Sequence, residues 1–136
     1  MKVTVDANIL FSALLRKGMT RRIWFVPEIE LYAPEFLLTE LHKYGAFLQK
    51  KFNGPKEEFM MLLEKLILQV RFIPDHQLKP FLPAAASLSK DSKDWLYLAC
   101  ALKKDTIIWS NDKDFKYQTR IKALTTEEIK KEFGVL

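Results

Sequence analysis

Two rhythms of apolar and polar positions alternate along this chain. Val3-Thr4-Val5 has no polar partner face and reads as a short buried strand that stops at Asp6. Ile9, Leu10, Phe11, Ala13, Leu14 and Leu15 then follow a helical spacing, which predicts a helix over 8–16 with Asn8 as its cap and Gly18 as its end. A second helical turn, RRIWFVP, follows Thr20 as cap, with Arg21 and Arg22 in solvent. Residues 29–33 alternate as a strand. Pro34 is placed in the first turn of a helix over 34–52, whose apolar positions are Phe36, Leu37, Leu41, Tyr44, Phe47 and Leu48. Asn53-Gly54-Pro55 is a break, with Pro55 in the first turn of the helix KEEFMMLLEKLILQV. Phe59, Met60, Leu62, Leu63 and Leu66 exceed one core-facing stripe there, so part of that helix is a candidate homodimer contact, with ordinary core packing as the alternative.

A short strand over 70–73 ends at Pro74, and 75–90 reads as a connection holding a short Pro-initiated helix. Asp91-Ser92-Lys93-Asp94 has the form of an N-cap box for WLYLACAL, a helix apolar nearly all round and therefore buried against the sheet. Residues 106–110 read as another buried strand, followed at once by Asn111-Asp112-Lys113-Asp114. An edge strand over 121–124 leads to a capping box, Thr125 with Glu128, for a last helix that stops at Gly134. Strands alternating with helices in this way predict a mostly parallel sheet covered on both faces, in one domain over 1–136.

Composition changes this picture little. A chain 49% hydrophobic and 29% charged is globular rather than disordered. Its net charge of +5 suits a phosphate-bearing partner. The lone Cys100 allows no internal disulfide, and no run is long or apolar enough for a bilayer, so the expected place is the cytoplasm with no membrane partner.

The chemistry lies in the acids. In a parallel sheet, residues at strand ends and at the starts of following helices gather along one edge, where ligands bind. Asp6 and Asp112 would be neighbours if their strands are adjacent, and Asp94 opens the helix between strands. Each has a plainer reading: Asp6 as a helix cap, one of Asp91 and Asp94 as a dipole partner, and Asp112 as a turn residue. Glu40 sits among Phe36, Leu37 and Tyr44, so either Lys43 draws it outward or it faces a site that wants a carboxylate. Four converging carboxylates would repel one another and hold their protons unless a cation joined them. A hard divalent ion with oxygen ligands, Mg²⁺ or Mn²⁺, fits, whereas zinc does not, since only His42 and His76 exist and Cys100 has no partner. There is no Gly-rich phosphate loop, and Ser12 and Ser110 lack a catalytic histidine. A receiver domain would need an acidic pair where Asp6-Ala7-Asn8 stands, and a haloacid-dehalogenase-type phosphatase a second Asp in place of Asn8.

VDANILFSALL, LLTELHKY, DSKDWLYLACAL and WSNDKDF, in this order and spacing, resemble the acidic motifs of PIN domains, in particular the short VapC-like toxins. The resemblance covers essentially the whole chain and implies a three-layer α/β sandwich. It implies that Asp6, Glu40, Asp94 and Asp112 are the catalytic carboxylates and ligands of one or two Mg²⁺ or Mn²⁺ ions. Asp91 matches an acid often found one turn before the third, Asp114 a peripheral acid of the fourth motif, and Asn8 and Ser110 small polar positions that orient water or carboxylates. The implied activity is hydrolysis of RNA to 5′-phosphate and 3′-hydroxyl products. A cognate antitoxin and a homodimer are the implied partners. Lys93 and Lys113, beside the acids, are candidates for holding the RNA backbone. The rival reading is a PIN-fold RNA- or protein-binding module that no longer cuts.

Overall fold

The computed structural model describes residues 1–134. Five strands form one parallel sheet: β1 (Lys2–Val5), β2 (Glu30–Pro34), β3 (Val70–Ile73), β4 (Ile107–Trp109) and β5 (Ala123–Leu124), in the order β3-β2-β1-β4-β5. Eight α-helices accompany them among the described residues: α1 (Ala7–Leu15), α2 (Met19–Trp24), α3 (Phe36–Lys51), α4 (Lys56–Leu68), α5 (Asp75–Leu78), α6 (Leu82–Leu88), α7 (Trp95–Lys104) and α8 (Thr126–Phe133).

The two faces can be read from alternation in the central strands. Thr4 turns its hydroxyl toward α7, 2.6 Å from Thr106 Oγ1 and 3.6 Å from Cys100 Sγ. That contact satisfies a fully buried hydroxyl. Val3 and Val5 therefore face the opposite side. Val5 is in register with Trp109, whose ring meets that of Trp24 at 6.1 Å and whose indole donates to Thr126 Oγ1 at 3.0 Å. Thus α7 lies over β1, β2 and β4 on one face, with α5 and α6 against it. On the other face α1 packs with α2, α3 and α4, and α8 meets α2. The small residues Ala99, Cys100 and Ala101, all buried, let α7 sit close to the strands. Leu10, Leu14, Leu98 and Ile108 are fully buried between the layers, and truncating one of the leucines to alanine costs about 2–5 kcal/mol.

Several elements begin or end differently from the sequence expectation. Asp6, not Asn8, caps α1, because its carboxylate accepts the Ile9 N–H at 3.0 Å while Asn8 is already helical and exposed. The helix ends at Leu15, and Gly18, in extended backbone, is the cap residue of α2. Thr20 lies inside that helix, and its hydroxyl sits 3.3 Å from Thr126. Pro34 closes β2 instead of opening a helix. Its missing N–H interrupts nothing there, since pairing with β1 ends at Tyr32. The first turn of α3 is capped from outside, by Asp75 Oδ1 accepting the Phe36 N–H at 3.2 Å. Pro55 is the cap residue of α4 rather than a member of it.

Within α4, Phe59 and Leu66 are buried in the core and Leu62 and Leu63 pack partly against it, so the core takes up the two buried residues of the apolar surplus. The Trp24 indole ties this helix down by donating to the Leu66 carbonyl at 2.9 Å. Met60, Met61 and Leu68 remain exposed. At the C-terminal end Thr125 and Glu128 form the reciprocal capping box, and Gly134 ends α8 in left-handed backbone. No helix among the described residues is long and apolar enough to cross a membrane.

Candidate active site

The chain runs outward from β1 to β2 and β3, then crosses to β4 on the other side of β1. The carboxyl ends of β1 and β4 therefore flank a topological switch point, where an open α/β sheet leaves a crevice. A cleft of about 450 Å³ lies there, lined by Asp6, Glu40, Asp94 and Asp112.

Asp6 is the most enclosed of the four, with 6% of its surface exposed. One carboxylate oxygen caps α1, and the other accepts the Ser110 hydroxyl. Burial pushes its carboxyl up to about 6 against these two stabilising hydrogen bonds, and the charges of Asp112 and Asp94 add to the rise. The same Ser110 hydroxyl accepts the Asp112 N–H at 3.0 Å, so one buried serine links the ends of β1 and β4. Asp112 itself is exposed at the rim, and its carboxylate accepts the Asp114 N–H at 2.9 Å, capping the 3₁₀ turn over Lys113–Tyr117.

The pair Asp91 and Asp94 divides its duties. Asp91 caps the 3₁₀ turn Ser92–Asp94 by accepting the Lys93 N–H at 3.0 Å. Asp94 stands at the head of α7 but caps nothing with its side chain. The expected four-residue cap box is therefore a separate turn placed before the helix. Freed from capping, the Asp94 carboxylate accepts the Ser89 hydroxyl at 2.9 Å, and the residue is 8% exposed. Burial raises its carboxyl above the ordinary range against that hydrogen bond, helped by the charges of Asp91, Asp112 and Asp114.

Glu40 reaches the cleft from the flank of α3, half-buried. Lys43 does not draw it outward; the Lys43 ammonium lies over the Tyr44 ring at 5.3 Å. Among the described residues Glu40 has neither a hydrogen-bond nor an ion-pair partner. Asn8, Asp91 and Lys93 also line the cleft. Asp114 lies outside it, in a neighbouring depression with Asp91 and Tyr117. Lys113 is exposed beyond the rim and is not among the lining residues.

The apolar wall of the cleft has no counterpart in the motif reading. Phe11, Tyr44 and Phe47 line it beside the acids, with Phe11 edge-on to Tyr44 at 5.8 Å. The Lys51 ammonium sits 5.6 Å over Phe47, which is 56% exposed. Spacing carries part of this signal, because Glu40, Tyr44 and Phe47 fall at i, i+4 and i+7 and share a helix face. Ser89 and Tyr97 are two further residues the sequence did not single out. Ser89 lies five residues before its partner on a connecting segment, and Tyr97 is one more apolar letter in an apolar helix.

All the candidate ligand atoms are carboxylate oxygens, a donor set that fits Mg²⁺ or Mn²⁺. No ion pair among the described residues neutralises any of the four acids, and Asp6 and Asp94 pay for burial with raised proton affinity. Both features fit a site that gains from a cation. No three of the acids among the described residues are grouped as a ready-made metal cluster, each of Asp6, Asp94 and Asp112 being turned onto a local N–H or O–H donor.

This arrangement, acids at the switch point of a five-stranded parallel sheet between helical layers, is matched at the level of family. The chain matches the PIN domain family over residues 4–134 and belongs to it. Among solved structures, a chain of VapBC-1 from nontypeable Haemophilus influenzae aligns with a TM-score of 0.67 and 20% identity, over 93% of this chain and 99% of that one. A chain of VapBC2 from Rickettsia felis, bound to a DNA fragment from their promoter, aligns with a TM-score of 0.62 and 16% identity, over 92% of this chain and 98% of that one. These likenesses establish the shared fold. Among curated proteins none matches the chain in sequence.

Proposed function

We propose that this chain is a metal-dependent endoribonuclease of the VapC-like kind, acting as one domain over 1–136. The observation that carries the reading is the convergence of Asp6, Glu40, Asp94 and Asp112, from four separate segments, on one cleft at the sheet's switch point. Asp6, Asp94, Asp112 and Glu40 would hold one or two Mg²⁺ or Mn²⁺ ions. A bound divalent ion supplies an ionised water at neutral pH and offsets charge on the phosphate. The protein's own part is positional. Ser110 fixes the Asp6 carboxylate and the Asp112 backbone together, and Ser89 fixes Asp94. Asn8 and Lys93 line the approach, where Lys93 can meet a phosphate oxygen. Lys113 and Asp114 act at most from the periphery. The wall of Phe11, Tyr44 and Phe47 offers apolar faces to unpaired bases.

By likeness to the VapBC structures, a cognate antitoxin chain goes with this reading, and the lone free Cys100 suits a reducing, cytoplasmic setting. A homodimer would use the exposed Met60, Met61 and Leu68 of α4. Sedimentation at micromolar concentration should give a dimer, and a monomer throughout the range would refute that contact.

The test of activity compares wild type with Asp94→Asn, purified identically. Wild type should cut single-stranded RNA in Mg²⁺ or Mn²⁺ and stop on addition of EDTA. Asp94→Asn should be slower by about 100-fold or more, since a lost ligand withdraws several kcal/mol of transition-state stabilisation. Equal cleavage by the two, or cleavage resistant to EDTA, would leave the binding module as the better reading.

A further inference from the structure

Two polar groups at this cleft lack partners, and they sit on adjoining elements. The Tyr97 hydroxyl, on α7, is buried, and its proton has no acceptor among the described residues; the residue is 4% exposed. A buried hydroxyl left unpaired is costly and uncommon in a native fold. The Glu40 carboxylate, on α3, is half-buried and equally without a partner. Both line the acid cleft. The Tyr97 ring is held edge-on against Phe36 at 6.1 Å, and Phe36 lies one helical turn before Glu40 on the same face of α3. Burial raises the Tyr97 hydroxyl above its ordinary value, with the charges of Asp6 and Glu40 adding to the rise and the Ala7 amide opposing it. The group is therefore a neutral O–H donor at all working pH values. Asp6 already has a donor on each carboxylate oxygen, and Asp94 has Ser89. Glu40 is the acid with no donor.

We propose that Tyr97 is the positioning residue for Glu40: its hydroxyl donates to the Glu40 carboxylate in the loaded site and so fixes the one cleft acid that no local donor holds. This rests on the metal-dependent nuclease reading and deepens it. Ser110 serves Asp6 and Ser89 serves Asp94, and Tyr97 completes the set. The Tyr97 ring is packed edge-on against Phe36, and Glu40 lines the same cleft with no donor of its own.

The test is Tyr97→Phe alone and in a Glu40→Ala background, with three readouts. Thermal unfolding of the metal-free protein should be unchanged or shifted upward, because the variant only removes an unpaired buried hydroxyl. Mn²⁺ affinity by calorimetry should fall by about 10-fold, the scale of lost ligand support. The kcat for RNA cleavage should fall by about 10- to 100-fold with KM unchanged. In the Glu40→Ala background, Tyr97→Phe should add less than about twofold to either loss, because a positioning residue has nothing left to position. Tyr97→Phe equal to wild type in Mn²⁺ affinity and kcat would overturn the inference and leave the nuclease reading intact. So would equal losses in both backgrounds, or losses that track a lowered unfolding temperature, since these mark a purely structural tyrosine. A wild type that neither binds Mn²⁺ nor cuts RNA would overturn the nuclease reading and this inference with it.

Discussion

The floor and the wall of the cleft hold their acids in different ways. On the floor, Asp6 and Asp94 emerge where backbone geometry is fixed, at the end of β1 and the head of α7. Both are buried and both accept a serine hydroxyl. On the wall, Glu40 projects from the middle of α3, half-exposed and without a donor, on the same face as Tyr44 and Phe47. Preorganisation is therefore graded across the site. The floor carboxylates stand in place and bear desolvation and mutual repulsion for it, while the helical carboxylate is held by no donor. The same two regions differ in character: charge is concentrated on the floor and apolar surface on the wall.

The sharpest way to break this contrast is to neutralise the floor. Asp6→Asn keeps the shape and the capping oxygen, since Asn caps as well as Asp and the Ser110 hydroxyl can turn to accept from the amide. Mn²⁺ binding and cleavage should be lost by about 100-fold or more, and Asp112→Asn should lose binding too. Glu40→Gln, on the wall, should lose less. Equal losses at the two positions would mean that burial and preformed hydrogen bonds confer no advantage on the floor.

The metal-free protein should respond in the opposite direction. The Asp6 carboxyl titrates near 6 in the fold against an ordinary 3.8. Between these values the folded state binds more protons than the unfolded one, so the contribution of Asp6 to stability falls as pH rises through about 4 to 6. At pH 8 the ionised, buried carboxylate lowers stability by on the order of 2–3 kcal/mol relative to its protonated form. Without metal, Asp6→Asn should therefore be more stable than wild type at pH 8 and equal to it below about pH 4, in denaturant titrations. Saturating Mn²⁺ should reverse the order, since a ligand of the native state adds stability by mass action. A variant less stable than wild type at pH 8 without metal would show that the Asp6 hydrogen bonds outweigh its burial.

How far the sequence went can be judged from the same two regions. The floor was legible. A buried β-branched run ending in an acid defines a strand end, and a similar buried run at Ile107–Trp109 gives the second, but that β1 and β4 are neighbours, on which the meeting of Asp6 and Asp112 depends, came only with the fold. The division of labour between Asp91 and Asp94 was not legible, because a 3₁₀ turn and a helix start share the same letters. The wall was only half legible. Spacing set Glu40 beside Phe36, Leu37 and Tyr44, but whether that face met the core, solvent or a cleft depends on packing against α1 and α7. Ser89 meets Asp94 and Tyr97 meets Phe36 across separate elements, and nothing in local spacing marks such contacts. Which apolar residues of α4 serve the core was left open for the same reason: Phe59 and Leu66 are buried in it, which a count of apolar residues cannot reveal.

The gentlest probe separates stacking from charge on the wall. Phe47 is 56% exposed and Tyr44 is 37% exposed, so Phe47→Ala removes a platform with little effect on folding. Base stacking on an aromatic ring contributes about 1–3 kcal/mol, so single-stranded RNA should bind roughly 5- to 150-fold more weakly to Phe47→Ala. Because no charge is removed, the slope of log affinity against log salt should not change. Lys93→Ala, at the exposed approach to the acids, should behave the other way, with a modest loss of affinity and a salt slope shallower by about one. Duplex RNA has its bases stacked within the helix and should be indifferent to Phe47→Ala. If the duplex loses as much as the single strand, the ring contributes through the shape of α3 rather than through stacking, and the wall then has no part in selecting unpaired bases.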